Sequence, residues 1–178
     1  MKIVVASKRK KIDTLNKEYP GHEVLDITSK AVDPWVKFSP FYPHGDIPIP
    51  FSNELSQSVE GLWQALKVFE KEDIDIKKTL ITNMKGIKRT VRRLGKVKGH
   101  RKGIHGNELL GYLEARKKIY IPAYYWVLNN KLTTELNIIK EKASNGVVLL
   151  DYETNGDIND LRKPLSHAHL VKQHLEKE

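Results

Sequence analysis

The sequence contains no cysteine, which excludes a disulfide framework and thiolate chemistry. No uninterrupted apolar run reaches about 18 residues, so we expect no membrane-spanning helix and no membrane partner. The apolar stretch Met1–Ser7 precedes a cluster of lysine and arginine, the reverse of the order in a secretory signal peptide. These absences predict a cytoplasmic protein.

Common cofactor and catalytic motifs are also missing. The chain has no G-x-G-x-x-G, no G-x-x-x-x-G-K-[ST] and no G-x-S-x-G. The pairs His100/His105 and His167/His169 have no cysteine or carboxylate arrangement to complete a metal site. The segment DYETNGD lacks the spacing and closing Glu of a calcium loop. We therefore expect neither a metal nor a cofactor.

Acidic residues are absent from Lys85–Lys102, a segment with nine Lys or Arg side chains. Without these nine, the chain has 22 basic and 22 acidic residues, so the segment holds the whole net charge of +9. Such a patch favours binding of phosphate or a nucleic acid, although a solvated basic surface would have the same composition. The candidate contacts for phosphate or nucleic acid are Lys88, Arg89, Arg92, Arg93, Arg101 and Lys102.

The hydrophobic pattern predicts an α+β fold, a mostly helical single domain over residues 1–178 with a small β-sheet. We expect the long irregular stretch over residues 33–57 to be ordered, because it is rich in aromatic residues. The aromatic cluster Tyr124–Trp126 suits base stacking, but its helical pattern favours the core. The predicted strands are 2–7, 22–28 and 147–152, and we expect the first two to be parallel. The predicted helices are 8–19, 58–70, 73–84, a short basic helix around 87–96, 107–129, 132–143 and 167–175. We expect Pro122 to kink or divide the helix 107–129, and we expect residues 99–106 to form a basic loop.

The chain is organised around the predicted helix Ser58–Glu70. Val59, Leu62, Trp63 and Leu66 form its apolar face. A second stripe consists of Glu60, Gln64 and Lys67, and side chains at this spacing share one face. Such a stripe is either the solvated side of the helix or, beside the aromatic segment 36–50, a binding site with an acid, an amide and an amine.

This helix resembles the signature helix of the NADAR (YbiA-like) family, T-V-E-H-Y-Y-Q-A-x-K-F. The segment S-V-E-G-L-W-Q-A-L-K-V keeps the Glu, an aromatic residue, the Gln, the Ala and the Lys, whereas Gly61 and Leu62 replace the usual His and aromatic residue. The preceding Ser39–Pro43 is similar to the N-F-Y-P segment of the family. Asp151 and Asp157 are similar to its acidic residues after a late strand, and Tyr112 occupies the position of its usual Trp.

The resemblance implies an N-glycosidase-type hydrolase that removes ADP-ribose from modified guanine bases in DNA or RNA. It implies catalytic roles for Glu60, Lys67 and Asp157. Glu60 is expected to stay ionised near the helix N-terminus, and Lys67 is expected to hold phosphate or to form a Schiff base if its pKa is depressed. The implied substrate contacts are Phe41, Tyr42, Trp63, Gln64, Tyr112, Asp151 and Asn155.

Two other functions fit the same residues. A non-catalytic nucleic-acid-binding protein would use the basic patch alone, and the acids after the last strand would then form a solvated Asn-Gly turn. Alternatively, an N-glycosidase would act on small nucleotide-like metabolites, and its activity would not depend on Arg89, Arg92 and Arg93.

Overall fold

A computed structural model describes residues 1–177. The fold mixes 38% helix with 16% strand, which confirms the α+β class with more helix than strand. Two compact units are formed, one by residues 40–127 and one by residues 1–39 with the segment from Leu128 onward. A single domain over residues 1–178 stays a prediction. Within residues 1–177, no helix combines the length and the apolar character needed to cross a membrane.

The regular elements are short, and several are single turns or two-residue bridges. In chain order they are β1 (Ile3–Ser7), α1 (Ile12–Glu18), β2 (Glu23–Asp26), β3 (Ile47–Pro48), β4 (Leu55–Ser56), α2 (Val59–Ala65), β5 (Lys67–Phe69), α3 (Val91–Leu94), β6 (Val97–Arg101), β7 (Leu109–Leu110), α4 (Tyr112–Ala115), α5 (Ile121–Lys131), α6 (Thr133–Lys142), β8 (Val147–Asp151) and α7 (His167–Lys177).

The first unit contains a parallel sheet with strand order β1-β8-β2. All five residues of β8 are buried, as expected for a central strand that has neighbours on both sides. This confirms the three predicted strands and the parallel direction of the first two, with β8 between them. The predicted helices at 8–19, 132–143 and 167–175 are confirmed as α1, α6 and α7, with ends that differ by a few residues.

The second unit contains the antiparallel sheet β5-β6-β7 and the two-stranded sheet β3-β4. The predicted helix 58–70 is wrong after Ala65, where the chain turns into β5. The carbonyls that would accept the next helical hydrogen bonds accept from other segments instead. Ala65 O accepts from Asp75 N, and Leu66 O accepts from Arg101 N. The guanidinium of Arg89 donates to Lys67 O at 2.6 Å. Helix α2 therefore ends through tertiary hydrogen bonds.

Four further predictions in this unit need correction. The predicted helix 73–84 is only a 3₁₀ turn over Ile76–Leu80, and the basic helix is the single turn α3. The segment Gly99–Gly106, predicted as a loop, begins inside β6. The long helix predicted over 107–129 is preceded by β7 and contains a π-helical turn at Arg116–Tyr120, directly before α5 and its Pro122. Proline has no N–H to donate to the carbonyl one turn earlier. This agrees with the change from α-helical to π-helical hydrogen bonding just before Pro122.

Candidate functional site

An acid and an amide lie inside the second unit on α2. Ser58 caps the helix, because its hydroxyl accepts from Gly61 N at 3.0 Å. Glu60 is 9% exposed, and Gln64 Nε2 donates to Glu60 Oε1 at 2.8 Å. Gln64 Oε1 in turn accepts from Arg89 N at 3.1 Å. The two side chains therefore belong to a buried network and not to a solvated helix face.

Burial shifts the pKa of the Glu60 carboxyl group. Loss of hydration raises the pKa of this carboxyl group above its ordinary value, and the hydrogen bond from Gln64 and the charges of Lys67 and Lys88 only partly oppose the shift. The expectation that the helix N-terminus keeps Glu60 ionised is thus opposed by the stronger effect of desolvation. A carboxyl group with a raised pKa is suited to donate a proton.

Lys67 begins β5 and lies beside the same network. Burial lowers the pKa of its amine; the Glu60 carboxylate opposes the shift, while Arg89 and Lys88 add to it. Among residues 1–177, no ion pair within 4.0 Å is found between Lys67 and Glu60. The Lys67 Nζ lies 5.9 Å from the centroid of the Trp63 ring. A half-buried amine with a lowered pKa is suited to act as a nucleophile or a base.

The Trp63 ring next to this amine belongs to a cluster of aromatic side chains. Trp63 stacks on His100 with the ring centroids 3.7 Å apart, and its indole also contacts Tyr112 at 5.9 Å and Tyr120 at 5.5 Å. A pocket of about 230 Å³ opens beside them. Its lining residues are Lys67, Val97, Lys98, Gly99, His100 and Tyr112.

The sheet register explains why these side chains meet. In β5-β6-β7, Lys67 is opposite His100, and His100 is opposite Leu110. Directly opposed residues of antiparallel strands project to the same face, so Lys67 and His100 are neighbours. Gly99 is needed next to them, because its φ is +155° and a Cβ there would lie 2.7 Å from Leu110 O.

The basic segment separates into two groups. Arg89 is buried, and its guanidinium donates to the carbonyls of Gln64, Lys67 and Asp73. Arg101 donates to both carboxylate oxygens of Asp73, and Lys102 pairs with Glu108. These three therefore have fewer donors left for a phosphate than the exposed residues of the segment. The exposed group consists of Lys85, Lys88, Arg92, Arg93, Lys96 and Lys98.

The aromatic residues before α2 are ordered, as predicted. Phe41 is half-buried, and the Lys88 Nζ lies 5.4 Å from the centroid of its ring. Tyr42 is also half-buried and contacts the ring of His44 at 4.8 Å. Pro40 O accepts from Glu60 N at 2.8 Å, which fixes this segment to the first turn of α2. Of the cluster Tyr124–Trp126, which was predicted to lie in the core, Tyr124 is buried, whereas Tyr125 and Trp126 are half-buried.

The predicted acids after β8 belong to the first unit. Asp151 is buried, and its carboxylate accepts from Ser166 Oγ at 2.8 Å and lies 3.0 Å from His167 Nδ1. Asn155 Nδ2 donates to the carbonyls of Asp160 and Lys163. Asp157 is exposed, and its Oδ1 accepts from Asn159 N. Asp151 and Asn155 thus have structural partners, and Asp157 closes a polar turn.

Sequence reasoning missed three residues of the site. The sequence pattern assigns His100 to a basic loop and Tyr120 to the long helix 107–129, and it indicates no role for Arg116. Arg116 is 2% exposed, with its guanidinium 5.0 Å from the centroid of the Tyr112 ring. A π-helical turn carries Arg116 and Tyr120, and such turns are frequent at functional sites. The sequence signal for this turn was Pro122.

Comparison with known proteins gives a family but no activity. The model of a family of unknown function, DUF6939, matches residues 7–171. The chain belongs to this family. A search of curated proteins finds no match. Across residues 1–177, no group of three or more His, Asp or Glu side chains is arranged to hold a metal ion.

Proposed function

We propose that this member of the DUF6939 family is an N-glycosidase-type hydrolase that removes ADP-ribose from modified guanine bases in nucleic acid. The observation that carries the proposal is the buried acid Glu60 together with the half-buried amine Lys67, which lines the aromatic pocket. Burial raises the pKa of the acid and lowers the pKa of the amine. Opposite shifts of two groups near one pocket are the pattern expected of an acid and a nucleophile or base.

The reaction breaks the bond between ribose C1 and a base nitrogen. Protonated Glu60 donates its proton to the leaving base, which takes the electrons of the broken bond. The neutral amine of Lys67 bonds to C1 and loses one proton. The C1–O4 bond of the ribose then breaks and O4 takes up that proton as a hydroxyl group, so the opened ribose is held on Lys67 as a protonated imine. Water adds to this imine and releases ADP-ribose, which restores the amine. Gln64 fixes the carboxyl group of Glu60, and Tyr112 offers a partly exposed ring for the base.

The phosphates of such a substrate need positive charge near the pocket. Lys98 lines the pocket and is exposed, and Arg92 and Arg93 are exposed on α3 in the same unit. We infer that these side chains bind DNA or RNA. We also propose that the protein is cytoplasmic. The roles proposed for Asp157, Asp151 and Asn155 in the reaction stay predictions, since these residues belong to the first unit and Glu60 to the second.

The direct test is release of ADP-ribose from an oligonucleotide that carries ADP-ribosylated guanine. Glu60→Gln keeps the shape of the side chain but removes the proton donor, so we expect the rate to fall by about 10²–10⁴-fold while retention of the oligonucleotide is unchanged. Borohydride added during turnover should reduce the imine to a stable amine adduct on Lys67, detected by mass spectrometry. Lys98→Met, which changes another lining residue, should still yield the adduct.

Several outcomes would contradict the hydrolase. The first is an unchanged rate in Glu60→Gln. The second is a wild type that turns over without forming the adduct, combined with full activity of Lys67→Met. Retention of the oligonucleotide without any turnover would instead favour the second candidate, a non-catalytic nucleic-acid-binding protein. The six exposed basic residues of Lys85–Lys102 support that candidate.

A further inference from the structure

His100 is a buried polar side chain whose hydrogen bonds are not satisfied by the protein. The residue is 0% exposed, and neither of its ring nitrogens has a hydrogen-bond partner within residues 1–177. Most buried polar atoms in proteins are paired, and each unpaired group is unfavourable for folding. An unpaired imidazole therefore calls for a functional explanation.

The ring is held in a defined position and in one charge state. Stacking on Trp63 at 3.7 Å fixes its plane, and pairing of β6 with β5 and β7 fixes its backbone. Burial and the nearby charge of Lys67 lower the pKa of His100 to about 3. The imidazole is thus neutral at physiological pH, with one N–H donor and one acceptor nitrogen.

The surroundings of the ring point to a ligand. His100 lines the pocket together with Lys67, which is half-buried, and Tyr112, which is exposed. A negatively charged ligand group would find its complement in Lys98. The neutral imidazole is complementary to an uncharged polar group that both donates and accepts, such as a ribose hydroxyl or the edge of a base.

We propose that His100 is a substrate-contacting residue of the pocket, whose ring nitrogens hydrogen-bond the uncharged edge of a nucleoside when Lys67 or Tyr112 moves aside. The choice of a nucleoside rests on the proposed function. The contact gives specificity, because a site with buried polar groups binds poorly to a ligand that leaves them unpaired.

The test compares binding of guanosine and of ribose 5-phosphate to the wild type and to His100→Phe. Phenylalanine keeps a planar ring to stack on Trp63 but has no nitrogen. We expect the affinity to fall about tenfold, the effect of one lost hydrogen bond, while the thermal midpoint of unfolding does not decrease. Loss for both ligands indicates the ribose hydroxyls, and loss for guanosine alone indicates the base. His105→Phe, at an exposed histidine nearby, is the control and should bind as the wild type does.

A second measurement does not need the variant to fold. In the wild type, the ring ¹⁵N resonances of His100 should shift when guanosine or ribose 5-phosphate is added. Unchanged affinity in His100→Phe, no shift of the ring nitrogens, or no binding of either ligand to the wild type would each overturn the inference. A protein that binds through His100 but releases no ADP-ribose would contradict the hydrolase alone. A hydrolase indifferent to His100 would contradict this inference alone.

Discussion

At the residue scale, burial separates side chains that look alike in the sequence. Arg89 and Arg92 belong to one basic run, yet the side chain of Arg89 is 0% exposed and Arg92 is exposed. Burial also explains why a glycine, Gly61, stands where the NADAR pattern has a histidine. A Cβ at this position would lie 2.8 Å from the backbone oxygen of Lys78, so no larger side chain fits without movement of the backbone.

The contrast between the two arginines gives a stability prediction. Arg89→Met should lower the free energy of unfolding by about 3–5 kcal/mol, because it removes a buried cation and leaves the carbonyls of Lys67 and Asp73 without their donor. Arg92→Met, the matched control, should change it by less than about 0.5 kcal/mol. Urea denaturation measures both values. Equal stability of the two variants would show that Arg89 does not hold α2 and β5 together.

At the scale of elements, helix ends depended on contacts with other segments. The apolar periodicity of 58–70 is genuine as far as Ala65. Two serines, Ser56 and Ser58, were candidates for the N-cap, and Ser58 is the one that caps the helix. Beyond Ala65, Val68 and Phe69 pair in β5, where a β-branched and an aromatic residue are favoured. By contrast, β8 is buried on both sides, and its apolar run was sufficient to predict it.

Helix α7 begins at a buried pair, which gives a pH prediction. Burial opposes the charged form of both groups, but Asp151 raises the pKa of His167 above 6.5 and His167 lowers the pKa of Asp151 below 3.8. The stabilisation from His167 is complete below pH 6.5 and is lost as the pH rises through its raised pKa. The stabilisation from Asp151 is complete above pH 3.8 and is lost as the pH falls through its lowered pKa.

We therefore expect the contribution of this pair to be largest between pH 3.8 and 6.5 and to decrease on the alkaline side. Asp151→Asn should lower the free energy of unfolding at pH 6 by about 3–5 kcal/mol, since it leaves a buried histidine without its counter-charge. Asp157→Asn, at the exposed acid of the following turn, is the control. Thermal unfolding at several pH values measures both, and a wild type that becomes more stable above pH 7 relative to His167→Gln would contradict the prediction.

At the scale of the whole molecule, the net charge of +9 is concentrated in one segment of the second unit. After the internal partners of Arg89, Arg101 and Lys102 are set aside, six exposed cations remain in Lys85–Lys102. A polyanion releases counterions for each phosphate that is neutralised, so binding through these residues should depend strongly on salt.

This charge distribution predicts the salt dependence of nucleic-acid binding. The double variant Arg92→Gln/Arg93→Gln should weaken binding of a single-stranded oligonucleotide and reduce the slope of log K against log salt by about 1–2. Lys11→Gln/Lys17→Gln removes the same charge from exposed positions of the first unit and should leave the slope unchanged. The slope is measured by fluorescence anisotropy at salt concentrations from about 50 to about 200 mM. Equal slopes for the two double variants would exclude α3 as part of the binding surface.

The sequence by itself determined the α+β class, the buried parallel strands and the charge segment, because each follows from a local pattern of residue types. Only the tertiary structure decided where α2 ends, which arginines are buried, and that His100 lies against Trp63 and beside Lys67. These features depend on hydrogen bonds and strand pairs between residues ten or more positions apart. A local pattern carries no information about such partners, and desolvation of Glu60 arises only when the chain has folded around it.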